Sequence, residues 1–313
     1  MAELLVKRVA SSVFVLIAAI VIVFVLMHVV GDPAAASLGP HARAEQLRAF
    51  REQHGLDRPV LEQLGSYLGD VARGNLGKSY RTDEPVTDVI LARLPRTALL
   101  GGMAMGFEVI IGVLFGVLAA VRRNTWIDTG VMATSFVGIS APTFLSGILF
   151  LYFFAFRLGW FPVGGWGTSP TDHVYHALLP AFTLAIIGAA TYARVMRSEM
   201  LETLQADYVR TARAKGLGPL RVIFAHGARN ALLPIVTIMG MQLATLVSGA
   251  IITETIYGWP GVGRLAIESI HTMDAPIIMG VVVMVSATVQ VGNLLADLAV
   301  AGLDPRIRIE SAK

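Results

Sequence analysis

Six long apolar stretches set the rhythm of this chain. They cover residues 9–30, 97–121, 130–156, 177–193, 231–252 and 276–300, separated by polar segments. A helix needs about 20 mostly apolar residues to cross the hydrocarbon core of a bilayer. Each stretch is therefore read as a transmembrane helix. The third carries Pro142 after Ser140, which predicts a kink. The first follows Lys7 and Arg8 and precedes the small residues Ala34, Ala35 and Ala36, the outline of a secretory signal. Its apolar core exceeds the roughly 7–15 residues of a signal-peptide core, so it is read as a retained span.

The polar segments orient these spans. With the N-terminus inside, fourteen Lys and Arg residues fall on the inner side: Lys7, Arg8, Arg122, Arg123, Arg194, Arg197, Arg210, Arg213, Lys215, Arg221, Arg229, Arg306, Arg308 and Lys313. The two short outer loops hold only Arg157 and Arg264. Inner loops are rich in Lys and Arg, so both termini are expected inside. The segment 31–96 is then extracytoplasmic. It holds nine basic and nine acidic residues, and combines a helix over 42–54 with turn signals at Gly55, Pro59, Gly74 and Gly77, which predicts a small folded cap.

Composition agrees with a membrane protein. Hydrophobic residues make up 55% of the 313 and charged residues 15%, against about 25% charged in a soluble domain. The chain has no cysteine, which excludes disulfides and thiolate metal sites.

Few motifs point to chemistry. ARGNLGKS at 72–79 approaches a phosphate-binding loop, but Ala72 stands where that loop needs glycine, and no strand precedes it. No nucleotide site is expected on this chain. His173 and His176, beside Asp172, have a spacing that suits a shared metal, but no third ligand is fixed, and surface histidines are the simpler reading. No nucleophile elbow, HExxH or pair of intramembrane carboxylates is present, which argues against a membrane hydrolase.

Glu108 sits near the centre of the second span. An ionisable group there usually faces the bundle interior or a water-filled path. With Gln242 and Gln290 it forms the candidate translocation path. Gln290 is also read, with Glu254, Asn293 and Asp297, as interhelical glue or an interfacial group. The pairs Gly102/Gly106 and Gly112/Gly116 have the small-xxx-small spacing that permits close helix approach.

The inner segment 194–230 is the most informative. Residues 204–217 read as a short helix stopped by Gly216, with Leu204, Tyr208 and Ala212 on one stripe and Arg210 and Arg213 on another side. Gly218 and Pro219 break the chain before a second short helix leading to NALLP. Three readings fit: a basic helix lying on anionic headgroups, a plain positive-inside loop, or a docking piece for another protein.

DYVRTARAKGL followed by ARNALLPIVTIMG resembles the cytoplasmic loop of ABC-transporter permeases, in the oligopeptide, dipeptide and nickel branch, first permease of the pair. GLDRPVLEQLGSYLGDVARGNLGKSY, PVTDVILARLPRT, ETIYGWPGVGRL and LDPRIR resemble other parts of that branch, so the likeness covers nearly the whole chain. It implies an all-α membrane protein of six transmembrane helices, N-in and C-in. The chain divides into an N-terminal tail and first span (1–30), an extracytoplasmic segment (31–96), a permease core (97–302) and a cytoplasmic tail (303–313).

The loop helix would be the coupling helix, carried by Asp207, Tyr208, Arg210, Thr211, Ala212, Arg213, Lys215 and Gly216. The broad-family signature Glu-Ala-Ala, three residues, Gly falls on Arg210, Thr211, Ala212 and Gly216, and of its Glu-Ala-Ala only Ala212 matches. The resemblance further implies a second permease, two ATPase subunits carrying ATP and magnesium, an extracytoplasmic substrate-binding protein, and membrane lipid. No cofactor is expected on this chain, no catalysis, and no nucleic acid. Peptides are the expected cargo. Nickel, glutathione or another small solute is the alternative, and a stand-alone secondary transporter the reading from another class.

Overall fold

A computed structural model describes residues 2–30, 32–39 and 41–303. The LDPRIR end beyond Leu303, with Arg306, Arg308 and Lys313, lies outside the described residues, as does the side chain of Asp297. Helices run in the order α1 (Ala2–Val30), α2 (Pro33–Leu38), α3 (Ala44–His54), α4 (Val60–Ala72), α5 (Val86–Val121), α6 (Trp126–Ser140) and α7 (Thr143–Phe150). A π-helical stretch, Leu151–Arg157, continues α7. Then come α8 (Pro170–Gln205), α9 (Asp207–Ala214), α10 (Pro219–Arg221), a second π-helical stretch, Val222–Ala228, α11 (Arg229–Ile256), α12 (Val262–Thr272) and α13 (Ala275–Leu303). Among the described residues the only β feature is an isolated bridge between Lys78 and Pro85.

Among the described residues, four helical segments are long and apolar enough to cross a membrane: Arg8–Val29, Val86–Val121, Pro170–Gln205 and Ala275–Leu294. A fifth crossing follows if the bent pair Trp126–Ser140 and Thr143–Arg157 is one span. The expected span over 231–252 lies within α11, which is not among them.

Several bounds differ from the sequence expectation, each for a local reason. The second span begins at Val86, because Pro95 is tolerated inside the helix and the polar residues before it continue the turn. The fourth runs from Pro170 to Gln205, so Arg194 and Arg197 lie on a helix rather than in a loop. The third is broken outright. Ala141, before Pro142, is extended (φ −78°, ψ 125°), the conformation a following proline imposes. The two halves diverge by 107°. Helix α12 falls in a segment expected to be a loop.

The chain divides into two compact units. The first comprises residues 1–97 and 260–291. Its core packs Val86 and Ile90 of α5 with Val262 and Leu265 of α12 and Ile277 and Val281 of α13. Buried Asp274 pins the turn after α4: Ser79 Oγ donates to it at 2.5 Å and the Tyr80 N–H at 3.1 Å. The Tyr80 ring packs edge-on against Phe50 and His54 of α3. Burial, and then the Asp274 carboxylate, push its phenol up to about 12. Gly74 and Gly77 both need positive φ here, at 80°. The ARGNLGKS stretch thus follows a helix, not a strand, and its serine hydroxyl is committed to Asp274. Asp32 caps α2 through the Ala34 N–H at 3.0 Å and binds Arg51 of α3.

The second unit comprises residues 98–259 and 292–313. Helix α8 is its axis, with fourteen residues from Ala177 to Met200 buried. A β-carbon on Gly112 would lie 2.4 Å from Tyr192 Cβ and 2.8 Å from the Ala189 carbonyl oxygen; one on Gly116 would lie 2.6 Å from Met196 Cβ. This pair therefore seats α5 directly on the α8 backbone. Gly102 and Gly106, of identical spacing, have nothing within 4 Å among the described residues, so they do not seat α5 on α8. Tyr257, after α11, bonds through its hydroxyl to Thr183 of α8 at 2.7 Å and to the Gly147 carbonyl of α7 at 3.1 Å.

Candidate functional site

The connector between α8 and α11 separates cleanly into a buried anchor and an exposed display. Helix α8 ends at Gln205, and Ala206 leaves helical geometry (φ −65°, ψ 148°). The helical phase is thereby reset. The expected stripe of Leu204, Tyr208 and Ala212 does not form: Leu204 belongs to α8 and Tyr208 is exposed. The face that α9 buries is Val209 and Ala212, one turn apart.

The remaining expected residues project outward. Asp207, Tyr208, Arg210, Thr211, Arg213, Lys215 and Gly216 are all exposed, and Ala212 alone of the eight is buried. Asp207 and Arg210 approach to 3.5 Å as an exposed i,i+3 pair, of a kind that contributes little to stability. Gly216 ends the helix with φ 76°. Its N–H donates to the Arg213 carbonyl at 2.9 Å and the Leu217 N–H to that of Ala212 at 3.3 Å, a glycine-closed terminus.

A second tether was not legible beforehand. Asn230 Nδ2 donates to the Tyr208 hydroxyl at 2.8 Å and to the His226 carbonyl at 3.2 Å. This ties α9 to the π-helical stretch and to the first turn of α11. Asn230 stands in the NALLP motif, but spacing alone could not pair it with a tyrosine 22 residues earlier. Exposed Leu220 and Phe224 continue the display beside the exposed cations Arg221 and Arg229. A solvent-facing surface that mixes large apolar side chains with fixed cations is suited to receive another protein.

The path candidates lie elsewhere. Glu108 is 2% exposed, and a β-carbon on Gly188 of α8 would fall 2.1 Å from its carboxyl carbon. Its Oε2 and the buried Tyr192 hydroxyl meet no hydrogen-bond partner among the described residues. Gln242 is half-buried in α11. Gln290 accepts from Ser12 Oγ of α1 at 3.0 Å, in keeping with its reading as interhelical glue. Glu254 is fully buried and Asn293 exposed.

The histidine pair is engaged structurally. His173 Nδ1 bonds the Trp166 carbonyl at 2.8 Å and His176 Nδ1 the Gly164 carbonyl at 3.0 Å, holding the loop before α8. The described residues contain no group of three or more His, Cys, Asp or Glu arranged for a metal ion.

Comparison with known proteins settles the class. Residues 112–309 match the model of the binding-protein-dependent transport system inner membrane component, and residues 1–101 that of its N-terminal region. The chain belongs to this family. It is a multi-pass protein of the bacterial inner membrane and a permease subunit of the ABC-transporter class. It is 40% identical over 314 residues to the oligopeptide transport system permease protein of Bacillus subtilis, covering 98% of this chain and 99% of that one. It is 40% identical over 306 residues to the di/tripeptide transport system permease protein of Pseudomonas aeruginosa, covering 89% and 90%. Among solved structures it resembles the inward-facing MetNI methionine ABC transporter at a TM-score of 0.58 and 19% identity, covering 69% of this chain and 96% of that one. That likeness supports the fold.

Proposed function

We propose that this chain is the first permease of an ATP-driven importer of di- and oligopeptides. It crosses the membrane six times with both termini inside, and α11 supplies the span that apolar length alone does not register. It pairs with a second, homologous permease. Each permease rests on one ATPase subunit, ATP and magnesium are bound by those subunits, and an extracytoplasmic binding protein delivers the cargo. This chain is non-catalytic.

One observation carries the coupling assignment. Helix α9 hides only Val209 and Ala212 and presents Asp207, Arg210, Thr211, Arg213 and Lys215 outward. A helix lying on headgroups would instead turn a broad apolar face to the membrane. ATP binding brings the ATPases together, α9 moves with its socket, and the path changes the side to which it opens. The peptide assignment is supported by relatives that span almost the full chain and whose names specify peptides. Glu108, Gln242 and Gln290 remain the proposed polar groups of the path.

The test is Arg213→Glu in the complete assembly, reconstituted in vesicles. Peptide transported per ATP hydrolysed is expected to fall roughly tenfold, the size of a 1.4 kcal/mol change in coupling, while the amount of assembled complex is unchanged. An unaltered ratio overturns the coupling role of α9.

A further inference from the structure

Two arginines one turn apart on α8 hold α6. Arg197 donates through Nε to Asp128 Oδ1 at 2.5 Å and through Nη2 to Oδ2 at 2.7 Å, a bidentate fork. Asp128 is 4% exposed and lies in the first turn of α6. The Asn124 N–H also donates to its Oδ2, at 3.0 Å, from a residue in the left-handed region (φ 61°). One turn earlier on α8, the Arg194 guanidinium carbon lies 4.7 Å from the Phe136 ring centroid, further along α6. The two helices are therefore joined at two points, and one of them fixes orientation as well as distance.

The position of this joint matters. Helix α8 continues unbroken from Arg197 to Gln205, and a single residue, Ala206, separates it from α9. At 1.5 Å per residue, that lever is about 12 Å long. At its other end, α6 runs to the break at Ala141 and Pro142, where the chain turns by 107° into α7. The Gly147 carbonyl of α7 receives the Tyr257 hydroxyl from the end of α11. One covalent and hydrogen-bonded line thus runs from α9 through α8 and the Asp128–Arg197 joint into the broken helix pair.

We infer that Asp128 and Arg197 are positioning residues for transport: their ion pair makes α6 and α8 move as one body, so that a displacement of α9 reaches the α6–α7 break. An ion pair whose carboxylate is buried adds little net stability relative to an apolar replacement, but removing the half-buried Arg197 would leave that carboxylate uncompensated, and the fork specifies a single register. Lysine in place of Arg197 keeps the charge and loses the fork. This inference rests on the reading of α9 as the coupling helix.

The test uses the complete assembly in vesicles, with a labelled dipeptide as cargo and assembled complex quantified in each sample. Asp128→Asn, Arg197→Lys and, as a control on α9 itself, Arg213→Glu are compared. A merely structural pair would lower transport and hydrolysis together with the amount of complex, leaving dipeptide moved per ATP unchanged. The inference predicts that this ratio falls roughly tenfold in Asp128→Asn and by about threefold in Arg197→Lys, within the range by which residues remote from both sites alter coupling. If Asp128→Asn does not assemble, the Arg197→Lys ratio decides alone. A lowered ratio in Arg213→Glu with a wild-type ratio in Arg197→Lys overturns the joint and leaves the coupling helix standing. A wild-type ratio in Arg213→Glu removes the coupling reading, and this inference with it.

Discussion

Helices α1 and α8 are both long and apolar enough to cross a membrane, yet they solve opposite problems. The apolar window of α1 is only 11% buried within the chain and that of α8 is 56% buried. The more apolar of the two is the exposed one. Phe14 and Val29 of α1 stand 72% and 76% exposed, while α8 buries Ala, Gly, Thr and Met against its neighbours. In a bilayer, lipid tails are as apolar as leucine, so greasy side chains have no reason to turn inward. Close backbone approach and satisfied polar groups hold helices together there. Hydropathy therefore finds spans, and small residues find the helix at the centre.

Three substitutions sharpen this contrast. The largest effect is expected for Gly112→Val. Its β-carbon would meet the backbone oxygen of Ala189 at 2.8 Å, and backbone cannot step aside as a flexible side chain can. We expect a loss at or above the 1–3 kcal/mol of ordinary overpacking, about 3 kcal/mol, read as a collapse in the yield of folded chain from detergent. A smaller loss is expected for Tyr257→Phe, which removes a hydroxyl bonded to Thr183 and to Gly147. It should cost about 1–2 kcal/mol in thermal unfolding, since the Gly147 carbonyl loses a partner away from water. The smallest effect belongs to Phe14→Leu in α1. It exchanges one lipid-facing apolar side chain for another and should change stability by less than about 0.5 kcal/mol. A large effect there would mean that this face of α1 packs against protein in the assembly.

Much of the fold could be read directly from residue pattern. Five of the six apolar stretches lie within single helices, the third being split at Ala141 and Pro142, and the cap helix expected over 42–54 forms at Ala44–His54. Boundaries were harder, because charged residues continue a membrane helix without penalty once it leaves the hydrocarbon. Arg194 and Arg197 are the instructive case. They counted as loop cations for orientation, yet they stand on α8 and grip α6. Nothing in local sequence joins Arg197 to an aspartate 69 residues earlier, although an acid in a first helical turn, following Asn124 and Thr125, was the available signal. Likewise Gly102/Gly106 and Gly112/Gly116 are indistinguishable by spacing. Only the second pair meets a neighbour among the described residues, because helix phase is set by the whole unit.

The proposed coupling site divides in the same way. Its exposed residues were legible because charge in a chain this apolar needs water or a partner. Its anchors, Val209 and the Tyr208–Asn230 bond, depended on the chain break at Ala206 resetting the register, which periodicity running through Leu204 could not anticipate.

The most direct measurement is uptake of labelled dipeptide, labelled tetrapeptide and nickel in cells lacking this chain and in cells with it restored. The account predicts that peptide uptake is lost and returns with the chain. Unchanged peptide uptake, or loss of nickel uptake alone, would contradict it.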